Sequence, residues 1–309
     1  MSATLASPRN STIVLFSAFS SWSVLRAYFM VASRLLPEVA RRHAERLFTL
    51  PPRYAGRQTH PADARRETVV AGRHSVAVWQ AGPSSAPAVL LVHGWGGRGT
   101  QMGTFVTPLL AAGYRAIWFD QPGHGESGRG AVALPDFVRA VAGVVATHGP
   151  FAAAIGHSLG AAAIGLALRR GVRFGRVVFV SPPSSIGEHA RNFARLLGIT
   201  PAVREAMRRR LEHRYGMRFA DIDRIEELEQ MQVPALFVHD SDDTAVPFEN
   251  TLRLLARMRG ARLIRTYGLG HYRILREAAV VAAVVDFVRG RTDTLPSELP
   301  ALPRPAPIY

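Results

Sequence analysis

Residues 151–170 read FAAAIGHSLGAAAIGLALRR, and the middle of that stretch decides how the rest of the chain is read. Phe151 to Gly156 is a short apolar run suited to a buried strand, and Ser158 to Arg170 is an alanine-rich segment suited to a helix. Between them stands Gly156-His157-Ser158-Leu159-Gly160. A serine on so sharp a strand-to-helix turn must adopt strained backbone angles, and glycine two places away on either side relieves the crowding. The turn lifts the Ser158 hydroxyl above the sheet. The helix that starts there supplies positive potential and an unpaired backbone N–H from Leu159. The pentapeptide alone is a common chance pattern; its strand–turn–helix setting makes Ser158 a candidate nucleophile.

Working outward, strand and helix signals alternate from residue 67 to residue 290. Glu67 to Ala71 and Ser75 to Gln80 read as a hairpin joined through Gly72. Further strands are expected at Ala88 to His93, Tyr114 to Asp120, Arg176 to Val180, Val233 to His239 and Arg262 to Tyr267. Helices are expected at Leu134 to His148, Phe248 to Arg259 and Ile274 to Arg289. This alternation predicts an α/β fold, a mostly parallel sheet with helices on both faces. Residues 182–230 break the rhythm: they are charged, carry no strand signal, and read as a small helical cap over the carboxyl ends of the strands. One long crossover is the plainer alternative.

Residues 1–66 form an N-terminal helical leader. Thr12 to Ala32 is largely apolar and long enough to span a bilayer, but Arg26 and four serines interrupt it. Three readings stay open for residues 12–32: a helix packed on the catalytic domain or peripherally on a membrane, a single-pass anchor, or a cleaved leader. The expected address is the cytoplasm, with membrane association as the alternative. From Leu35 to Leu50 the chain turns helical and basic until Pro51-Pro52 stops it. Residues 291–309 hold five prolines and are expected to be a disordered tail.

All 38 basic residues are arginine, 23 residues are acidic, and the formal net charge is +15. The arginines are spread along the chain and do not interleave with aromatic residues, which argues against a nucleic-acid surface. There is no cysteine, which excludes disulfides, thiolate metal ligands and a cysteine nucleophile. No His/Asp spacing suits a metal site, and no glycine pattern suits a nucleotide; neither a metal nor a cofactor is expected. The oligomeric state is not legible.

A second motif, His93-Gly94-Trp95-Gly96-Gly97, follows a buried strand. On such a turn the backbone N–H of Trp95 can join that of Leu159 in holding a developing oxyanion. His93 reads as structural, hydrogen-bonded beneath the site, and His124 as a wall residue. A serine hydroxyl needs a base, and His271 stands in a loop after the last strand. The acid that orients it comes from Asp240, Asp242 or Asp243; Asp243 lies furthest into its loop and is preferred, with Asp242 the alternative. The chain order Ser, Asp, His is the one this sheet topology uses.

Over residues 67–290 the chain resembles the α/β-hydrolase superfamily, in the nucleophile turn, the His-Gly-Trp turn, the acid and base loops, and Asp120 to Ser127. The resemblance implies an eight-stranded sheet whose second strand is antiparallel, with a triad of Ser158, Asp243 and His271. It implies a small-molecule acyl substrate such as an ester, thioester, lactone or amide, cleaved through an acyl-enzyme. Aspartate-nucleophile activities are disfavoured by Ser158. Acyl transfer, carbon–carbon bond hydrolysis and a non-catalytic small-ligand binding protein are the alternatives.

Overall fold

The computed structural model describes residues 11–52 and 58–299, with side chains from residue 22 onward. In chain order it runs α1 (Ser11–Leu35), α2 (Pro37–Thr49), β1 (Arg65–Ala71), β2 (His74–Ala81) and β3 (Ala88–Val92), then a 3-10 turn at Gly99–Phe105. It continues with α3 (Val106–Ala111), β4 (Arg115–Phe119), α4 (Leu134–His148), β5 (Phe151–His157), α5 (Leu159–Arg169) and β6 (Val177–Val180). Next come α6 (Ile186–Leu197), α7 (Pro201–Tyr215), α8 (Phe219–Ile222), a 3-10 turn at Ile225–Gln230 and β7 (Ala235–Asp240). The last elements are α9 (Glu249–Leu255), β8 (Arg262–Thr266), α10 (Gly270–Arg273) and α11 (Ala278–Val288).

Two compact units divide the chain. The larger, Thr49–Ser185 with Ala220–Tyr309, is built on one eight-stranded sheet ordered β1-β2-β4-β3-β5-β6-β7-β8. β2 is antiparallel to both its neighbours, and every pairing from β4 to β8 is parallel. Burial follows from this order. β3, β6 and β7 are buried at every residue, as strands covered on both faces must be, whereas β1 alternates towards its end as an edge strand does. One side of the sheet packs Leu91, Trp118, Ile155 and Val238 with Met102 and Phe105 of the 3-10 turn and Val284 and Phe287 of α11.

The smaller unit joins the residues up to Phe48 to Ile186–Phe219. α1 packs on α6, burying Phe29, Ala32 and Ser33, and the Arg26 guanidinium donates to the carbonyls of Arg195 and Leu196 at the end of α6 (3.1 and 2.8 Å). Both carbonyls lie in the last turn of α6, beyond the reach of the regular helical ladder; Arg195 O also accepts Gly198 N–H (3.3 Å), and Arg26 adds a donor to each. Phe48 of α2 sets its ring edge-on to Phe193.

Four expectations can be set against these elements. The segment read as a cap, 182–230, is divided: Ile186–Phe219 forms a unit with the leader helices, and Ala220 to Gln230 belongs with the sheet. Among the described residues no helix is long and apolar enough to cross a membrane, which gives the single-pass reading of residues 12–32 no support; the side chains of residues 12–21 lie outside the described ones. The tail is not disordered as far as residue 299. The N–H of Arg265 donates to Ser297 O and that of Leu299 to Arg265 O (2.9 Å each), which covers the open edge of β8, and Leu295 and Leu299 pack on the core. The remainder of the tail lies outside the described residues. Finally, the helix expected over Ile274 to Arg289 starts later: Glu277 is extended (φ −69°, ψ 120°), α11 begins only at Ala278, and a separate short helix, α10, precedes the expected start.

Candidate active site

The site is assembled where parallel strands end. Ser158 follows β5 directly and has φ 52° and ψ −123°, outside both ordinary regions for an L-residue. Its N–H donates to Val180 O of β6 (2.8 Å), which fixes the turn to the neighbouring strand. The flanking glycines are needed for close approach. A Cβ on Gly156 would lie 2.7 Å from Ala161 Cα, and one on Gly160 would lie 2.4 Å from His93 O. Only hydrogen at these two positions lets α5 begin against β3 and β5.

The acid loop leaves β7 and the base loop leaves β8, side by side in the sheet. His271 Nδ1 donates to Asp243 Oδ2 at 2.7 Å. Asp243 Oδ1 accepts the backbone N–H groups of Ala245 and Val246 (2.9 Å each). The His239 ring stands 3.4 Å from Asp243 Oδ2 through Nε2. Burial pushes the Asp243 carboxyl up, but hydrogen bonds from the His239 and His271 rings and from Val246 N–H outweigh it. The group is held well below the usual carboxylate range. With Nδ1 committed to Asp243, the lone pair of His271 is on Nε2.

Asp242, the alternative acid, is exposed and accepts Gly268 N–H (2.9 Å). Asp240 is fully buried and accepts Thr266 Oγ1 (2.7 Å) and Leu269 N–H (2.9 Å). All three carboxylates thus tie the acid loop to the base loop, and Asp243 alone of them reaches the imidazole.

The base loop is also tied to the nucleophile turn. His157 Nε2 donates to His271 O (2.9 Å), and the two rings lie 4.6 Å apart. Burial first, and then the nearness of His271, lower the His157 pKa to about 3, so the ring is neutral. Its Nδ1 is buried with no protein partner among the described residues.

On the other side, His93 Nδ1 donates to Gly94 O (2.7 Å) and Nε2 accepts Gln121 N–H (2.8 Å). His124 Nε2 accepts Gly96 N–H (3.0 Å), and its Nδ1 donates to Pro122 O (2.9 Å). Burial lowers His93 to about 4 and His124 to about 3, which keeps each ring able to accept a hydrogen bond. Both therefore brace the His-Gly-Trp turn from beneath, as expected of His93. Trp95 packs edge-on to His124 (5.3 Å) and stacked over Phe137 (6.3 Å). Among the described residues, the backbone N–H groups of Trp95 and Leu159 donate to no protein acceptor. No cluster of three or more His, Asp or Glu side chains able to hold a metal occurs among the described residues.

The braces that sequence reading missed are His157, His239 with Thr251, and Asp240. Their partners lie on neighbouring strands or across a loop, so no local pattern marks them. His239 is an instance: its Nδ1 meets Thr251 Oγ1 (2.6 Å) and its Nε2 meets Val246 O (2.9 Å) only because the chain folds back after β7.

A model of the alpha/beta hydrolase family matches residues 89–284. No curated protein sequence matches the chain. Among solved structures, the serine hydrolase CCSP0084 from the polyaromatic hydrocarbon-degrading bacterium Cycloclasticus zankles is 19% identical, with TM-score 0.57, covering 74% of this chain and 99% of that one. The esterase RhEst1 from Rhodococcus sp. ECU1013 is 22% identical, with TM-score 0.55 and coverage of 76% and 100%. A meta-cleavage product hydrolase from Pseudomonas fluorescens IP01 is 18% identical, with TM-score 0.54 and coverage of 73% and 98%. At these identities the likeness is one of fold.

Proposed function

The chain belongs to the α/β-hydrolase family, and from that premise we propose that it is a serine hydrolase cleaving a carboxylic ester or a related acyl compound. The observation that carries this reading is Ser158 at φ 52° on the turn braced to the loop of His271, whose Nδ1 is held by Asp243. A strained serine on a turn tied to the loop of an oriented imidazole suits nucleophilic catalysis and has no structural need of its own.

In this mechanism His271 Nε2 takes the Ser158 proton as Oγ attacks the acyl carbon. The tetrahedral oxyanion rests on the N–H groups of Trp95 and Leu159. Protonated His271 then gives its proton to the leaving alcohol or thiol, and the carbon–oxygen or carbon–sulfur bond breaks. Water, deprotonated by the same nitrogen, attacks the acyl-enzyme and frees the acid and Ser158. Asp243 stays ionised throughout and fixes the ring, for which its depressed pKa suits it.

The test is hydrolysis of an ester and thioester panel by the wild type, Asp243→Asn and Asp242→Asn. Asp243→Asn is expected to lower kcat by roughly 10³–10⁴-fold. Asp242→Asn, an exposed substitution, is expected to stay within about twofold. The reverse ranking would overturn the triad. Added alcohol acceptors distinguish hydrolysis from acyl transfer by product.

A further inference from the structure

We infer that the unit formed by the leader helices and Ile186–Phe219 carries a peripheral docking face for an anionic lipid surface. Among the described residues, nine of the twelve exposed large apolar side chains belong to this unit. They include Val24, Val31 and Leu35 of α1, exposed at 68%, 57% and 73%. With Ala27, also exposed, these residues recur every three or four positions and share one side of the helix. The opposite side, with Phe29, Ala32 and Ser33, is the one buried where α1 packs on α6. A surface helix normally turns polar residues outward. Over its described side chains, residues 22–35, α1 carries apolar residues on both sides, and the outward row of Val24, Ala27, Val31 and Leu35 is out of place in water. Leu36 and Val39 continue the exposed apolar surface into α2.

Charge identifies the partner. The unit contains fourteen arginines and five glutamates, a net charge of +9, whereas the much longer sheet-bearing unit has a net charge of +6. An apolar face set in a strongly cationic body matches an interface of acyl chains and anionic headgroups. A second copy of the chain is disfavoured by the same count, since pairing through this face would bring two +9 units together.

The experiment is co-sedimentation of the full chain with phosphatidylcholine vesicles and with phosphatidylcholine–phosphatidylglycerol vesicles, at low and high salt. Salt-sensitive binding to the anionic vesicles is expected, roughly tenfold or more above binding to the neutral ones. Val31→Glu/Leu35→Glu is expected to lower it by a similar factor, and Val24→Glu alone to weaken it in the same direction. Circular dichroism of the variants, expected to be unchanged at these exposed positions, separates a lost face from a lost fold. Failure of the wild type to bind either vesicle overturns the inference, as does equal binding to both. So does binding that the folded variants retain, or a light-scattering dimer, without vesicle binding, that Val31→Glu/Leu35→Glu dissociates.

Discussion

His157 stands one place before the candidate nucleophile, and its contacts show how the candidate base, His271, is held. Its Nε2–H donates to the backbone carbonyl of His271, so the loop bearing that histidine is fixed at the main chain as well as at the side chain. Losing that donor leaves a carbonyl unsatisfied and frees the loop. His157→Leu is expected to lower kcat by roughly tenfold, equivalent to about 1.4 kcal/mol, with KM little changed. His157→Gln, which keeps an N–H at similar reach, should recover part of the loss. Steady-state kinetics of the two variants on one ester is the check, and equal losses in both would deny the bond its positioning role. None of this could be read from Gly-His-Ser-Leu-Gly. The motif gave Ser158 because its glycines are a local necessity. The partner of His157 lies 114 positions away, and only the sheet order brings it close.

The strands and helices show where such legibility ends. β3, β5 and β7 were readable because strands buried on both faces are apolar over most of their length, although β7 closes on the buried His239 and Asp240. The 3-10 turn at Gly99–Phe105 and α3 were missed. Three glycines in residues 97–103 read as loop, and burial of Met102 and Phe105 under the sheet overrides that local preference. The break between α10 and α11 has no glycine or proline to announce it. The start of α5 allows a sharper test within one helix. At Gly160 a Cβ would meet His93 O at 2.4 Å and Val92 O at 2.5 Å, whereas at Gly165 the nearest neighbour is Phe179 Cε1 at 3.9 Å. Gly160→Ala is therefore expected to destabilise by roughly 1–3 kcal/mol and to impair turnover, because α5 and the Ser158 turn must shift. Gly165→Ala should be neutral or stabilising by up to about 1 kcal/mol, from helix propensity alone. Urea unfolding of the pair is the measurement, and similar midpoints would contradict the close packing of α5 on β3.

The whole molecule should respond to acid through three buried histidines. His93, His124 and His157 are neutral in the fold, lowered to about 4, 3 and 3 from an ordinary value of 6.5. Below pH 6.5 the unfolded chain takes up their protons while the native one does not, so stability falls with pH until the native values are reached. At pH 5 the loss is roughly 2 kcal/mol per histidine, a large part of an ordinary domain's stability. Asp243 acts in a separate, lower window: its depressed carboxyl stabilises the fold above about pH 4, and that contribution is lost only as pH falls further. Urea midpoints followed by tryptophan fluorescence are expected to drop steadily from pH 7.5 to pH 5, and a flat profile would show that these rings are not held neutral. The central claim, an activated Ser158, is tested most directly by a fluorophosphonate probe read by intact mass on the wild type and Ser158→Ala. One adduct on the wild type and none on the variant is the predicted result; a folded wild type that takes no adduct, or a variant that takes the same one, would contradict it.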